Sequence, residues 1–410
     1  PFLAVDEIFD ASDCVLLPGL VNCHHHFYQT LTRAFPAALN KELFEWLVSL
    51  YPVWANLTED DIATSTTTAM CELMLSGCTT TTDHHYVFSE NTSRAIDVQA
   101  DIAGKLGMRA ILTRGSMSLG EKDGGLPPDR LVQSPDKILR DSERLINLLH
   151  NSSAFSMLQI ALAPCSPFSV TTELMRDSAA LARRSGVLLH THLAETIDEN
   201  DFCIEKFGAR PVDYLEQVGW LANDVWLAHG IHFTESEISR LGHAGVAVSH
   251  CPSSNMILAS GTSPVKELVA AGVPVGIGVD GSASNDASNM MQEVRQAFLL
   301  QRLKYGAANV SHLDALSWAT QGGANLFRRS DIGALRVGMA ADIALFSLDE
   351  LRFSGAGDPL AALVLSGAHQ AQAVMINGVW KVLDSELVEF DINEVKANQV
   401  AAAMRLAQNI

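Results

Sequence analysis

The sequence predicts an α/β protein, a (β/α)8 TIM-type barrel with a second, smaller β-sandwich domain. Three observations predict it. Eight short apolar, β-branched runs recur, each followed by a longer segment of helical spacing. Several of these runs end in histidine or a carboxylate, as the strands of a barrel enzyme do at its mouth. After Arg328 the texture changes to alternation in twos with glycine-rich turns, the mark of an antiparallel sheet. The length of 410 residues leaves a choice between one large barrel-type domain and two or three ordinary ones, and the count of eight βα units favours the barrel.

The barrel strands are expected at Val15 to Cys23, Thr79 to Asp83, Arg109 to Arg114, Ser156 to Ala163, Val187 to His192, Val225 to His229, Val246 to His250 and Val275 to Asp280. Among the intervening helices, one is expected after Thr58, where Thr58 and Asp61 form a capping-box pattern, with Gly77 as its stop. The acidic run Glu59 to Asp61 then reads as a charged first helical turn rather than a metal site. The stretches GALRVGMAADIALFSL, LAALVLSG and AVMINGVWKVL read as strands of the small β domain, and Val395 to Ala407 as an amphipathic helix. Residues 18–328 are accordingly assigned to the barrel, 1–17 and 329–391 to the small domain, and 392–410 to the C-terminal helix. The chain begins almost at the first barrel strand and without methionine, so its start reads as trimmed.

Composition narrows the class. Hydrophobic residues make up 48% and charged residues 18%, which excludes disorder and indicates much buried surface. The net charge of −19 repels phosphate backbones and anionic lipid, so no nucleic acid polymer is expected as a partner. No apolar run reaches the ~18 residues that would span a bilayer. Seven scattered cysteines without a CxxC pair suggest neither a disulfide framework nor a thiolate zinc site, and fit the cytoplasm.

The most informative segment is PGLVNCHHHFYQTLTR. It sets His24 and His26 two apart at a strand end, where alternation turns both imidazoles into the barrel mouth and His25 away. Two histidines make half a metal site. Further strand ends carry LLHTHLAE, VWLAHG, VAVSHCP and VGIGVDGSASND. His190 and His192 share a face there, Glu195 lies just beyond, and Asp280 ends a strand too apolar to need a carboxylate.

HxH after the first strand, HxxE after the fifth, HG after the sixth and DG after the eighth together resemble the amidohydrolase superfamily, in its mononuclear aminohydrolase and deaminase branch. The resemblance covers the whole chain. It implies that His24, His26, His192 and Asp280 bind one divalent metal and that Glu195 and His229, with Asp280, complete the catalytic set. The fourth-strand segment SMLQIALAP has no lysine to bridge a second metal. Zinc suits the N/O donor set, and Fe2+ or Mn2+ would fit similar ligands. Three imidazoles and a carboxylate leave a position for water, which zinc acidifies from a pKa of about 15.7 to about 7. The expected reaction is attack of the resulting hydroxide on an amino-bearing ring carbon, with Asp280 taking a proton, His229 polarising the nucleophile and Glu195 protonating the ring.

The continuous stretches PGLVN.HHH.YQ.LTRA, DGGLPPD, APCSPFSV and GVDGSASND resemble the 8-oxoguanine deaminases of this branch, which implies conversion of 8-oxoguanine to uric acid and ammonia. Hydroxyatrazine-type ethylaminohydrolases share the first stretch, and guanine, isocytosine or S-adenosylhomocysteine remain alternative substrates. A non-enzymatic, ligand-binding member of the superfamily is the alternative of another class, and the complete ligand set argues against it. Trp54 and Cys165 align with positions that hold an acidic residue and a histidine in the S-adenosylhomocysteine deaminases. A tryptophan cannot accept hydrogen bonds from a ribose diol, which favours a free base. Gln29, Arg33, His85 and Ser284 join Trp54 and Cys165 as expected substrate contacts. The partners expected are thus a small heterocyclic base, water and further copies of the chain in a homo-oligomer. His250 is expected to pack behind the site, and His232, His243, His312 and His369 to be ordinary surface or packing residues.

Overall fold

The computed structural model describes residues 8–408, so the stretches 1–7 and 409–410 of the assigned ranges lie outside the described residues. Eight parallel strands close into a barrel: β2 (Leu20–Asn22), β3 (Cys78–His85), β4 (Arg109–Ser116), β5 (Leu158–Pro164), β6 (Leu189–Leu193), β7 (Val225–His229), β8 (Ala247–His250) and β9 (Val275–Ile277). Helices follow the strands and cover the outside, so that β3 and β4 are buried along their whole length, as the strands of a parallel sheet must be.

The run Val15 to Cys23 corrects one expectation, because it forms two strands and not one. Its first half, β1 (Cys14–Pro18), pairs antiparallel with β10 (Ile343–Ser347) in a separate sheet, and only β2 enters the barrel. The break falls at Gly19, where a Cβ would lie 2.1 Å from Thr79 Oγ1, so only glycine allows the chain to pass this close to β3. The small sheet is antiparallel in the order β1, β10, β11 (Ala373–Ile376), β12 (Val379–Leu383), β13 (Glu386–Leu387). The stretch LAALVLSG is a second correction, being helical from Pro359 and closing in a π-helical turn over Leu363–Gly367. Asp358 caps it by accepting from the Ala361 N–H at 2.9 Å, and Pro359 occupies the first turn, where its missing N–H costs nothing.

The helix Glu59–Leu75 starts at a reciprocal capping box between Thr58 and Asp61. The C-terminal helix Ile392–Ala407 packs along it, with Thr68 Oγ1 donating to Gln399 Oε1 at 2.9 Å and Arg405 paired with Asp61. At the base of the barrel the fully buried Arg109 pairs with Asp342, and Asp342 also accepts from the Asn377 N–H at 2.8 Å. This ties the barrel to the small sheet. No helix of the described residues is long and apolar enough to cross a membrane.

Candidate active site

The polar strand ends meet at the mouth of the barrel. His24 and His26 follow β2, His84 lies near the end of β3, His192 lies in β6, His229 ends β7 and Asp280 follows β9. All are buried. Three residues here hold left-handed backbone without being glycine, namely Ala194 (φ 54°), His229 (φ 69°) and Asp280 (φ 62°). Such strain persists only where surrounding contacts impose it, and it gathers at functional sites. At Asp280 the contacts are the Gly281 N–H donating to Oδ1 at 2.7 Å and Ser284 Oγ donating to Oδ2 at 3.2 Å.

The tautomer of each imidazole follows from its partners. The Nδ1 atoms of His26 and His192 lie 2.7 and 2.6 Å from the carbonyl oxygens of His84 and Cys165. A carbonyl only accepts, so both Nδ1 atoms carry the proton and both Nε2 atoms present a lone pair. His229 is held the same way through Nδ1 to Asn255 Oδ1 at 3.0 Å. Burial also pushes His24 and His192 well below the ordinary imidazole range, which keeps them neutral.

Bare donors therefore face one another. His26 Nε2 lies 3.2 Å from His192 Nε2, while Asp280 Oδ1 lies 3.2 Å from His24 Nε2 and 3.3 Å from His26 Nε2. With the protons of His26 and His192 on their far nitrogens, these contacts set lone pair against lone pair and, at His26, lone pair against carboxylate, and among the described residues His24 Nε2 has no hydrogen-bond partner. A cation between them removes that conflict. Donors about 2.0–2.1 Å from a tetrahedral zinc stand about 3.3 Å apart, which matches the observed edges. The residues thus fit one divalent metal, and His229 Nε2 faces the same point, 3.9 Å from Asp280 Oδ2.

Glu195 is buried at the rim, with Oε2 3.4 Å from His229 Nε2. Burial first, then the charges of Asp280 and Glu199, push its carboxyl well above the ordinary range. These surroundings favour the protonated form of the carboxyl. Its loop is fixed by Glu199, whose carboxylate accepts from the N–H groups of Ala194 and Glu195 at 2.8 and 2.9 Å.

Of the expected substrate contacts, Gln29, Cys165 and Ser284 line the cavity above the donors. Gln29 is seated against Gly281, where a Cβ would come within 1.9 Å of its Oε1. Three others are displaced, which corrects the sequence reading. Arg33 turns away into an ion pair with Glu72. Trp54 is fully buried and donates to Thr32 Oγ1 at 3.2 Å. The helix Leu43–Trp54 crosses the mouth with Leu43, Trp46 and Leu47 turned inward, and Trp54 sits two turns further along, packed on Tyr28 and Tyr51. His85 packs on Tyr28 and Phe88 behind the wall, and its neighbour His84 takes the inward face, stacked on His192 at 4.7 Å. His250 is buried near Gln301, with ring and amide nitrogens 3.2 Å apart.

The wall residues Trp46, Leu47, Phe168, Leu258 and Tyr86 were not singled out from the sequence, although the Leu43, Trp46 and Leu47 spacing is that of one helix face. The space they bound, counted out to its open mouth, is about 370 Å³.

Residues 15–381 match the Amidohydrolase family. The chain is 60% identical over 97% of its length, and 89% of the relative's, to 8-oxoguanine deaminase of Pseudomonas aeruginosa. It is 39% identical, over 92% of this chain and 80% of the relative, to hydroxydechloroatrazine ethylaminohydrolase of Pseudomonas sp. strain ADP. Among solved structures, atrazine chlorohydrolase of Arthrobacter aurescens TC1 complexed with zinc superposes with a TM-score of 0.91 at 32% identity, over 95% of this chain and 88% of that one.

Proposed function

We propose, for a chain that belongs to the amidohydrolase family, that it is a hydrolytic deaminase of a free oxopurine, converting 8-oxoguanine and water to uric acid and ammonia with one zinc ion. The observation that carries the chemistry is the convergence of imidazole Nε2 atoms and Asp280 beside the buried carboxyl of Glu195, which burial pushes well above its ordinary range. The substrate follows from the 60% identical relative. The cavity supports a planar, uncharged ring, since its walls are apolar apart from the reacting groups, Gln29, Tyr86 and Ser284.

In this reading His24, His26, His192 and Asp280 would hold the metal, whose charge would make water acidic near neutrality. Asp280 accepts the water's proton through Oδ2, the oxygen nearer His229. His229 orients that water through Nε2, its own tautomer fixed by Asn255. Glu195 gives its proton to the ring nitrogen beside the carbon under attack, so that no anion builds up on the ring. The C–N bond then breaks, ammonia leaves with the first water proton relayed through Asp280, and the new hydroxyl returns the second to Glu195, so that the ring keeps a carbonyl oxygen and the acid is restored. Gln29 and Ser284 contact the base, and the roof of Leu43, Trp46 and Leu47 keeps bulk water out. The proposal extends to a reducing cytoplasm, supported by seven free cysteines, and to a homo-oligomer, which light scattering tests.

The test is ammonia release from 8-oxoguanine, guanine, isocytosine, S-adenosylhomocysteine and hydroxyatrazine by zinc-loaded protein, with Asp280→Asn as control. Turnover of 8-oxoguanine above the others, lost in the control, is expected. Ethylamine from hydroxyatrazine, with no turnover of 8-oxoguanine, would overturn the substrate.

A further inference from the structure

We infer that His190 and Trp226, neither of which lines the cavity, are positioning residues that decide which nitrogen of His24 is offered to the metal. Unlike His26 and His192, His24 has no carbonyl on its Nδ1. Its partner is another imidazole, His190, with Nδ1 and Nε2 2.9 Å apart. Such a pair is ambiguous on its own, because the shared proton can sit on either ring. The ambiguity is resolved one residue further on, where His190 Nδ1 lies 2.9 Å from the Trp226 carbonyl. That oxygen only accepts, so the proton of His190 is on Nδ1, its Nε2 is the acceptor, and His24 carries its proton on Nδ1. His24 Nε2 is then bare towards Asp280 and His26. The opposite polarity would leave a lone pair of His190 against the carbonyl oxygen.

Trp226 closes the circuit. Its ring stacks on His190 at 4.3 Å and 10°, and its indole N–H donates at 3.2 Å to the carbonyl of Cys23, the residue before His24. One tryptophan therefore fixes the orientation of the His190 ring, its proton and the backbone that carries His24. Both residues are fully buried. An apolar residue would fill the same space, but it could not accept the proton of His24.

The inference rests on the reading of His24 as a metal ligand. Its test is the zinc affinity of full-length apo protein, by competition with a chromophoric chelator, for wild type, His190→Leu and His190→Gln, with the Tm of each apo form. Gln can still accept from His24 through Oε1, whereas Leu cannot. His190→Leu is expected to bind zinc about 10–100-fold more weakly, His190→Gln within about threefold of wild type, and the two apo forms to melt alike. Equal affinity of the Leu variant and wild type, or equal loss in both variants, would overturn the inference. Should the Leu variant not fold, 15N spectra of histidine-labelled apo wild type decide the matter. Protons on Nδ1 of both His24 and His190 support the inference, and a proton on Nε2 of His24 overturns it. Failure of the ligand reading looks different, since wild type itself would then bind no zinc.

Discussion

The two ends of the barrel bury polar groups in opposite ways. At the base, Arg109 faces Asp342 and Arg329 faces Asp331, opposite charges matched at the point of contact. At the mouth, His26 Nε2 faces His192 Nε2 and Asp280 faces His24, donors of the same kind aimed at one another. A buried polar group must be compensated. The base is compensated within the chain, while the mouth needs a cation from outside. The mouth also carries the left-handed residues Ala194, His229 and Asp280, so stability resides in the paired end and reactivity in the strained one.

Mutations should separate the two ends. The largest effect is expected for Asp280→Asn, which removes both a metal donor and the proton acceptor: kcat should fall by about 10⁴-fold or more, with apo Tm held or raised. Arg109→Met should do the reverse. It leaves Asp342 buried without its partner and is expected to cost about 3–5 kcal/mol in denaturant unfolding, with kcat of the surviving folded enzyme unchanged. Loss of activity in Arg109→Met without loss of stability would break the comparison.

Glu195→Gln comes next, with an expected fall in kcat of about 10²–10⁴-fold at unchanged zinc content. The neutral acid is the reactive form, so the wild-type rate should decline on the alkaline side as Glu195 ionises, and a stopped pH series on kcat would detect that limb. The smallest effect concerns Glu293, below the mouth, where burial pushes the carboxyl up to about 8 although Ser253 and Asn285 donate to it. Its folded pKa lies above the unfolded one, so its stabilising contribution is complete at low pH and is lost as pH rises through about 8. Between pH 7 and 9 wild type should lose about 1.4 kcal/mol that Glu293→Gln does not, seen as a relative Tm change of about 1–2 °C.

How much of this was legible in the sequence follows the same division. The barrel strands and the cluster at their ends could be read because each apolar run stops at a residue no core requires, such as His229 or Asp280. The cavity walls could not. In β3 the residues Thr79 to His85 are buried on both faces, so alternation has no phase, and His85 was favoured where His84 faces inward. The helix Leu43–Trp54 is apolar nearly all round, so its sequence did not show that Trp46 and not Trp54 meets the cavity. Arg33 reads as a substrate contact in sequence, where nothing points to its ion-pair partner Glu72, 39 residues away. The role of His190 lies in a proton position, which depends on a carbonyl of the next strand, 36 residues away, and has no signature in residue type.

The most direct measurement is the metal content of purified, dialysed protein by mass spectrometry, for wild type and Asp280→Asn. One zinc per wild-type chain, lost or strongly reduced in the variant, is the result the account predicts. No bound metal in wild type, or the same content in both proteins, would contradict it.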